Sequence, residues 1–307
     1  MINCTKLLSG KKGFYDEIRY AKDKPADTNR PIVVWNSTKS CNLRCVHCYF
    51  DAKAKKDKGE LTTEQARSMI DDLAAFGAPV LLFSGGEPFM RPDLFELGKY
   101  ALSKGLRTVI STNGTLITKD AAERIKDAGF SYVGISLDGL EAVNDKFRLE
   151  AGAFKRTLQG IRNCHSSGVR AGLRFTINKH NFRDIAGIFD LVESEGIKRV
   201  CFYHLVYSGR GSRMVEEDLT KNESRDVMDL IFDRTIRLSR KSEDTEVLTV
   251  DNHTDGVYLY LRLEKEDKKR AKEALELLKI NGGNKSGIGI ADVDNLGFVH
   301  PDQFWRY

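Results

Sequence analysis

Residues 40–49 read Ser40-Cys41-Asn42-Leu43-Arg44-Cys45-Val46-His47-Cys48-Tyr49. The spacing is Cys-x3-Cys-x2-Cys, which puts three thiols on one short loop. Three thiolates can hold three irons of a four-iron cube. Such clusters normally take four Cys, so a three-Cys loop leaves one iron for an exchangeable ligand. Two blander readings use the same residues. One is a zinc module built from Cys41, Cys45, Cys48 and His47; the other is a plain electron carrier. Iron with acid-labile sulfide excludes a zinc-only site. Cys4, Cys164 and Cys201 stand apart from the loop and read as packed thiols. Six cysteines in 307 residues are too sparse for a disulfide scaffold and fit a reducing compartment.

Outward from this loop, short apolar runs alternate with amphipathic stretches. Strands are expected at 32–35, 80–83, 108–111, 132–137, 171–177 and 199–205. Helices are expected between them at 63–76, 93–103, 119–128, 154–166 and 182–195. Thr62-x-x-Gln65 has the form of a capping box at the first of these. Gly77, Gly105, Gly129, Gly168 and Gly196 stand where helix C-caps belong. Strand then helix, repeated six times, predicts parallel units with right-handed crossovers. Six units are too few to close an eight-stranded barrel, so the expected fold class is α/β, an open partial (β/α)6 barrel. Past residue 212 the chain predicts long polar helices at 217–240 and 256–280, with a strand at 246–250 between them. The expected organisation is an N-terminal extension over 1–30, the partial barrel over 31–212, and an α-rich substrate-covering region over 213–307.

Ligands gather at the carboxyl ends of strands in parallel α/β folds, and the informative residues here follow predicted strand ends. The cysteine loop follows strand one, and Ser84-Gly85-Gly86-Glu87-Pro88 follows strand two. Thr112-Asn113-Gly114 follows strand three, while Ser136, Asp138 and Gly139 end strand four. Arg174 lies on strand five, and His204 to Gly211 follow strand six. Gly85-Gly86 lets the backbone approach a ligand closely, and Glu87 offers a carboxylate suited to an ammonium group.

Together the three-Cys loop with His47 before its last Cys, the Gly-Gly-Glu-Pro turn and the strand–helix rhythm resemble the radical S-adenosylmethionine (SAM) superfamily. The resemblance covers about residues 31–212. It implies that the open iron of a [4Fe-4S] cluster chelates SAM, and that one electron splits the sulfonium to a 5′-deoxyadenosyl radical. On that resemblance Cys41, Cys45 and Cys48 correspond to cluster ligands and His47 to the position near adenine. Gly85, Gly86 and Glu87 correspond to the turn that receives the methionine amino group. Ser136 and Arg174 correspond to residues holding the methionine carboxylate, and Thr112, Asn113 and Asp138 to ribose contacts.

A narrower resemblance uses the ends of the chain. Thr5-Lys6-Leu7-Leu8 with Ile18-Arg19-Tyr20, Val250 to Gly256, Asn281-Gly282-Gly283-Asn284 and His300-Pro301-Asp302-Gln303-Phe304-Trp305 resemble the haem-biosynthesis branch. Its didecarboxysiroheme deacetylases remove two acetate side chains from an iron tetrapyrrole; its haem d1 enzymes remove two propionates. Peptide-modifying radical enzymes form a related alternative. A flat polycarboxylate substrate suits Arg210 and Arg213 at the barrel mouth and a backbone anion nest at 281–284. His204, His253 and His300 are candidates for the siroheme iron or for proton transfer. Members of this branch continue into a cysteine-rich tail with an auxiliary iron–sulfur cluster. Here no Cys follows Cys201 and the sequence stops at Tyr307, so it reads as shortened before that tail.

The 49 basic and 44 acidic residues leave a net charge of +5. This is compatible with an anionic substrate and is not the concentrated stripe of a nucleic-acid binder. Lys53, Lys55, Lys56 and Lys58 form a solvated run that also suits an acidic electron donor such as a ferredoxin or flavodoxin. No apolar run reaches the ~18 residues of a membrane span and the N-terminus lacks a secretory core. A cytoplasmic enzyme without a membrane or nucleic-acid partner is the expectation.

Overall fold

The computed structural model describes every residue except 12, 14, 15, 17–19, 21–29, 243, 306 and 307. Ile18 and Arg19, part of the N-terminal resemblance, lie outside the described residues. One sheet organises the chain. Its strands are β1 (Ile2–Asn3), β2 (Ile32–Asn36), β3 (Val80–Ser84), β4 (Arg107–Thr112), β5 (Tyr132–Ser136), β6 (Ala171–Ile177), β7 (Arg199–His204), β8 (Glu246–Val250), β9 (Ile290–Val293) and β10 (Val299–His300). Their order across the sheet is β1-β8-β7-β6-β5-β4-β3-β2-β9-β10. Neighbours from β2 to β8 are parallel, as is β9 on β2, whereas β1 and β10 close the two edges antiparallel.

Period-two alternation gives the two faces different chemistry. Val33, Trp35, Leu81, Phe83, Ile110, Val133, Ile135, Leu173, Phe175, Val200, Phe202 and Val247 all enter one core with the covering helices. Each such side chain stabilises the fold by about 1.5–3 kcal/mol when fully buried. The alternate positions Asn36, Ser84, Ser111, Ser136, Arg174 and Tyr203 therefore share the opposite, inner face. Further back on the strands that face carries Val34, Val80, Val109 and Leu248, but toward the carboxyl ends it is polar, which makes that end of the sheet a place for a ligand.

The helices are α1 (Cys4–Ser9), α2 (Thr63–Phe76), α3 (Leu94–Ser103), α4 (Lys119–Asp127), α5 (Glu141–Arg148), α6 (Ala153–Ser166), α7 (Ile185–Ser194), α8 (Lys221–Lys241), α9 (Thr254–Glu266) and α10 (Lys268–Asn281). The predicted capping box opens α2: Thr62 accepts from Gln65 N and Gln65 accepts from Thr62 N. Gly77 ends it at φ 82°, a left-handed conformation that glycine adopts without strain.

Three features depart from the sequence expectation. The sheet does not stop near residue 212: β8, β9 and β10 come from the C-terminal region and β1 from the N-terminal extension. The single helix expected over 256–280 is two helices, because Asp267 at φ −151° leaves the helical region and caps α10 through Arg270 N. Helix α5 was not anticipated, being short and polar. Among the described residues no helix is long and apolar enough to cross a membrane.

Candidate functional site

The cysteine loop leaves the end of β2 and is held from four sides. Cys41 and Cys45 are buried, Cys48 is half-buried, and all three thiols are free. Cys41, Leu43, Cys45 and Ala52 pack into one small cluster with Cys48 against it. Each sulfur accepts at least one N–H, and Cys41 Sγ takes a second from Asn113 Nδ2 at 3.9 Å. Leu43 N donates to Cys41 Sγ and Ala52 N to Cys48 Sγ, both at 3.4 Å. Arg148 Nη1 donates to Cys45 Sγ at 3.4 Å. Donors of this kind favour thiolate over thiol.

In the absence of a cation the balance still lies with the thiols. Burial, and next the charge of Glu87, push Cys41 up to about 12. Burial raises Cys45 as well, while Arg148 pulls it back. Three clustered thiolates therefore require the positive charge of a metal centre. Donor number, mutual proximity and the waiting N–H groups fit a cluster with three protein ligands. A zinc set fits less well. His47, which would complete such a set, has Nε2 at 3.4 Å from Asp138 and its ring stacked 4.4 Å from Phe147.

The Gly-Gly-Glu-Pro turn does something the sequence did not suggest. Gly86 N donates to Thr38 O at 2.7 Å and Glu87 N to Ser40 O at 2.8 Å. A Cβ on Gly85 would lie 2.6 Å from Thr38 O, and one on Gly86 2.2 Å from Ser40 O. The close approach that requires glycine here is to the backbone of the cysteine loop, not to open ligand space. Gly85 also sits at φ 120°, which side chains avoid. Glu87 is fully buried, and its carboxylate already accepts Thr112 Oγ1 at 2.7 Å, Asn113 N at 2.8 Å and Phe89 N at 3.2 Å. Burial pushes its carboxyl up to about 7 against those donors. The turn thus ties the loop, β3 and the end of β4 into one unit. Asn113 extends the tie by donating to Asn42 Oδ1 at 2.9 Å.

Asp138 is 1% exposed and both of its oxygens are engaged, Oδ1 by Thr176 N at 2.7 Å and Oδ2 by Arg148. Ser136 and Arg174 are cross-strand partners on the inner face. Arg174 donates through Nε and Nη2 to Tyr203 OH at 2.9 and 2.7 Å, and through Nη1 to Ser111 Oγ. Among the described residues no carboxylate lies within ion-pair distance of it, though Asp251 feels its charge, and its hydrogen bonds go only to hydroxyls.

The family comparisons decide what this geometry belongs to. The Radical SAM superfamily model matches residues 35–217. The chain belongs to the radical SAM superfamily. It is 55% identical, over all of its length and 79% of the relative's, to Fe-coproporphyrin III synthase of Methanosarcina barkeri. It is 40% identical to pre-heme d1 synthase of Dinoroseobacter shibae, over 91% of this chain and 69% of that one. Streptococcus suis SuiB bound to S-adenosylmethionine superposes with TM-score 0.70 at 16% identity, covering 89% of this chain and 60% of that one. Native anSMEcpe with bound AdoMet gives 0.67 at 19% identity, covering 90% and 76%. These two likenesses show the fold alone. As a radical SAM enzyme the chain uses a four-iron cluster and SAM, and needs a reductant.

The residues read as substrate contacts separate. Arg210 donates to Cys45 O and Ala52 O, both at 2.8 Å, and pairs with Asp51 at 3.0 Å. Its place is fixed by Gly209, where a Cβ would lie 2.4 Å from Tyr49 O. Arg210 is therefore a clamp on the cysteine loop instead of a free cation at the mouth. Gly282 N caps α10 through Leu278 O, which takes one backbone N–H of the 281–284 turn away from an anion nest, and the Asn281 side chain donates to Met1 O. His204, at the end of β7, bonds Asp255 at 2.9 Å. His253 is exposed just before α9, and His300 lies 3.4 Å from Asp294 at the opposite edge of the sheet. Phe304 meets the Tyr49 ring edge-on at 5.6 Å, so the C-terminal segment touches the loop directly. Arg148, Tyr203, Ser111 and Asp255 were missed from sequence. The one available signal was a basic residue closing the helix that follows Asp138-Gly139.

Proposed function

We propose that this enzyme removes the two acetate side chains of 12,18-didecarboxysiroheme to give iron-coproporphyrin III. The carrying observation is the 55% identity over the entire chain with Fe-coproporphyrin III synthase. Cys41, Cys45 and Cys48 would hold the cluster, which when bound supplies the electron that splits SAM. The turn at Gly85, Gly86 and Glu87 fixes the loop and offers its backbone to the methionine amino group. Ser136 and Arg174 receive the methionine carboxylate, because a guanidinium satisfied only by hydroxyls is suited to a carboxylate. His47, Thr112 and Asn113 border the nucleoside. Asp138 acts through Arg148 and His47, having no free oxygen for a ribose hydroxyl.

On the substrate side we assign His204 with Asp255, and more distantly His253 and His300, to the rim of the tetrapyrrole. The region 213–307 covers the substrate while lending strands to the barrel's sheet. A small one-electron carrier, ferredoxin or flavodoxin, supplies the reductant. No residue is assigned to an auxiliary cluster.

A second reading, propionate loss as in haem d1 synthesis, is favoured by the 40% identity to pre-heme d1 synthase. Product mass separates the two. Anaerobic incubation of reconstituted enzyme with SAM, reductant and didecarboxysiroheme is expected to form iron-coproporphyrin III. A product that keeps both acetates and has lost two propionates supports the second reading, and no substrate-dependent product rejects both.

A further inference from the structure

We infer that Arg148 sets the reduction potential of the cluster through its contact with Cys45, and that Asp138 limits the effect. The inference rests on the cluster assignment above. Arg148 is 6% exposed, and its Nη1 lies 3.4 Å from Cys45 Sγ. A buried guanidinium is expensive unless paired, and its partners here are Asp138 and a thiol that becomes a thiolate on binding iron. Its position is not left to a flexible side chain. Arg148 is the last residue of α5, and the turn before it is fastened to the loop. Val46 N donates to Phe147 O at 3.1 Å and His47 stacks on Phe147. Asp138 is fixed in turn by Thr176 N, and its own N–H donates to Asn144 Oδ1 at 3.0 Å.

Each electron taken up makes a thiolate-bound cluster more negative. A fixed cation donating to one of its sulfurs favours the reduced state, and hydrogen bonds to sulfur and local charge are established determinants of potential. The other two sulfurs receive neutral donors, the backbone N–H groups of Leu43 and Ala52 and the side-chain amide of Asn113, so Cys45 is where charge enters the sulfur shell. Asp138 carries the opposite charge against the same guanidinium. The two residues therefore act with opposite sign, which a purely structural pair would not do.

The test is an anaerobic redox titration of reconstituted enzyme followed by electron paramagnetic resonance of the reduced cluster, with iron and sulfide measured on every sample. Arg148→Met is expected to move the midpoint to more negative potential. Arg148→Lys should recover part of the shift, and Asp138→Asn should move the midpoint the other way. Equal midpoints in wild type, Arg148→Met and Asp138→Asn overturn the inference, as do shifts of the same sign. If Arg148→Met takes up no iron, the lysine and asparagine variants decide; loss of iron in all three also overturns it, leaving Arg148 a structural residue. Absence of iron and sulfide from the wild type would instead defeat the cluster assignment itself.

Discussion

Glu87 Oε2 accepts the backbone N–H of Asn113 at 2.8 Å, which fastens the turn after β3 to the end of β4. The same carboxylate takes Thr112 Oγ1 and Phe89 N. Removing it leaves buried donors unmade, each costing about 1–3 kcal/mol. Glu87→Ala is expected to lower the urea midpoint of the apo-protein markedly and to impair iron uptake. A variant as stable as wild type, binding SAM weakly, would place this carboxylate on the ligand instead.

Gly86 tests the loop from its other side. Its missing Cβ leaves room for Ser40 O, which such an atom would approach to 2.2 Å. Gly86→Ala should displace the cysteine loop while the sheet, whose core lies on the outer face, stays folded. The expected result is near-native circular dichroism with a several-fold loss of iron per chain after reconstitution. Full iron content would show that the loop yields without cost.

Among the described residues Arg174 hydrogen-bonds only to hydroxyls, those of Tyr203 and Ser111. Arg174→Ala should leave iron content intact and weaken SAM binding by about ten-fold or more, the loss expected of a charge-assisted hydrogen bond worth ~1.5–3 kcal/mol. Equilibrium binding of SAM to the anaerobic holoenzyme measures it. Unchanged affinity would mean that the methionine carboxylate is held elsewhere.

His204 predicts a pH signature. Burial by itself would lower its pKa, but the hydrogen bond and charge of Asp255 outweigh burial and raise it above the ordinary value near 6.5. A raised folded-state pKa contributes stability that is complete below the unfolded value and is lost as pH rises through the folded one. The stability gap between wild type and Asp255→Asn should therefore be widest in mildly acidic buffer and narrow toward alkaline pH. A gap that stays constant or widens with pH would contradict the pairing.

Much of this was legible in sequence. The predicted strands at 32–35, 80–83, 108–111, 132–137, 171–177 and 199–205 correspond to β2–β7, because their outward positions form one continuous apolar face. The cysteine loop and Gly-Gly-Glu-Pro turn were visible because their chemistry depends on residue type at fixed local spacing. Strand β9 was not, since Ile290-Ala291-Asp292-Val293 carries a buried carboxylate that makes sense only once Asn36 donates to it at 2.7 Å. Arg210 and Arg148 were misjudged or missed for a related reason. Their partners, Cys45 and its neighbours, lie more than a hundred residues away in sequence, and only the folded chain brings them together.

The central claim is that Cys41, Cys45 and Cys48 hold a cluster that opens SAM for work on a tetrapyrrole. The most direct measurement is mass spectrometry of an anaerobic reaction holding reconstituted enzyme, SAM, reductant and didecarboxysiroheme, run beside Cys45→Ala. The expected result is 5′-deoxyadenosine together with iron-coproporphyrin III from the wild type and neither from the variant. Formation of both products by Cys45→Ala, or of neither by an iron-loaded wild type, would contradict it.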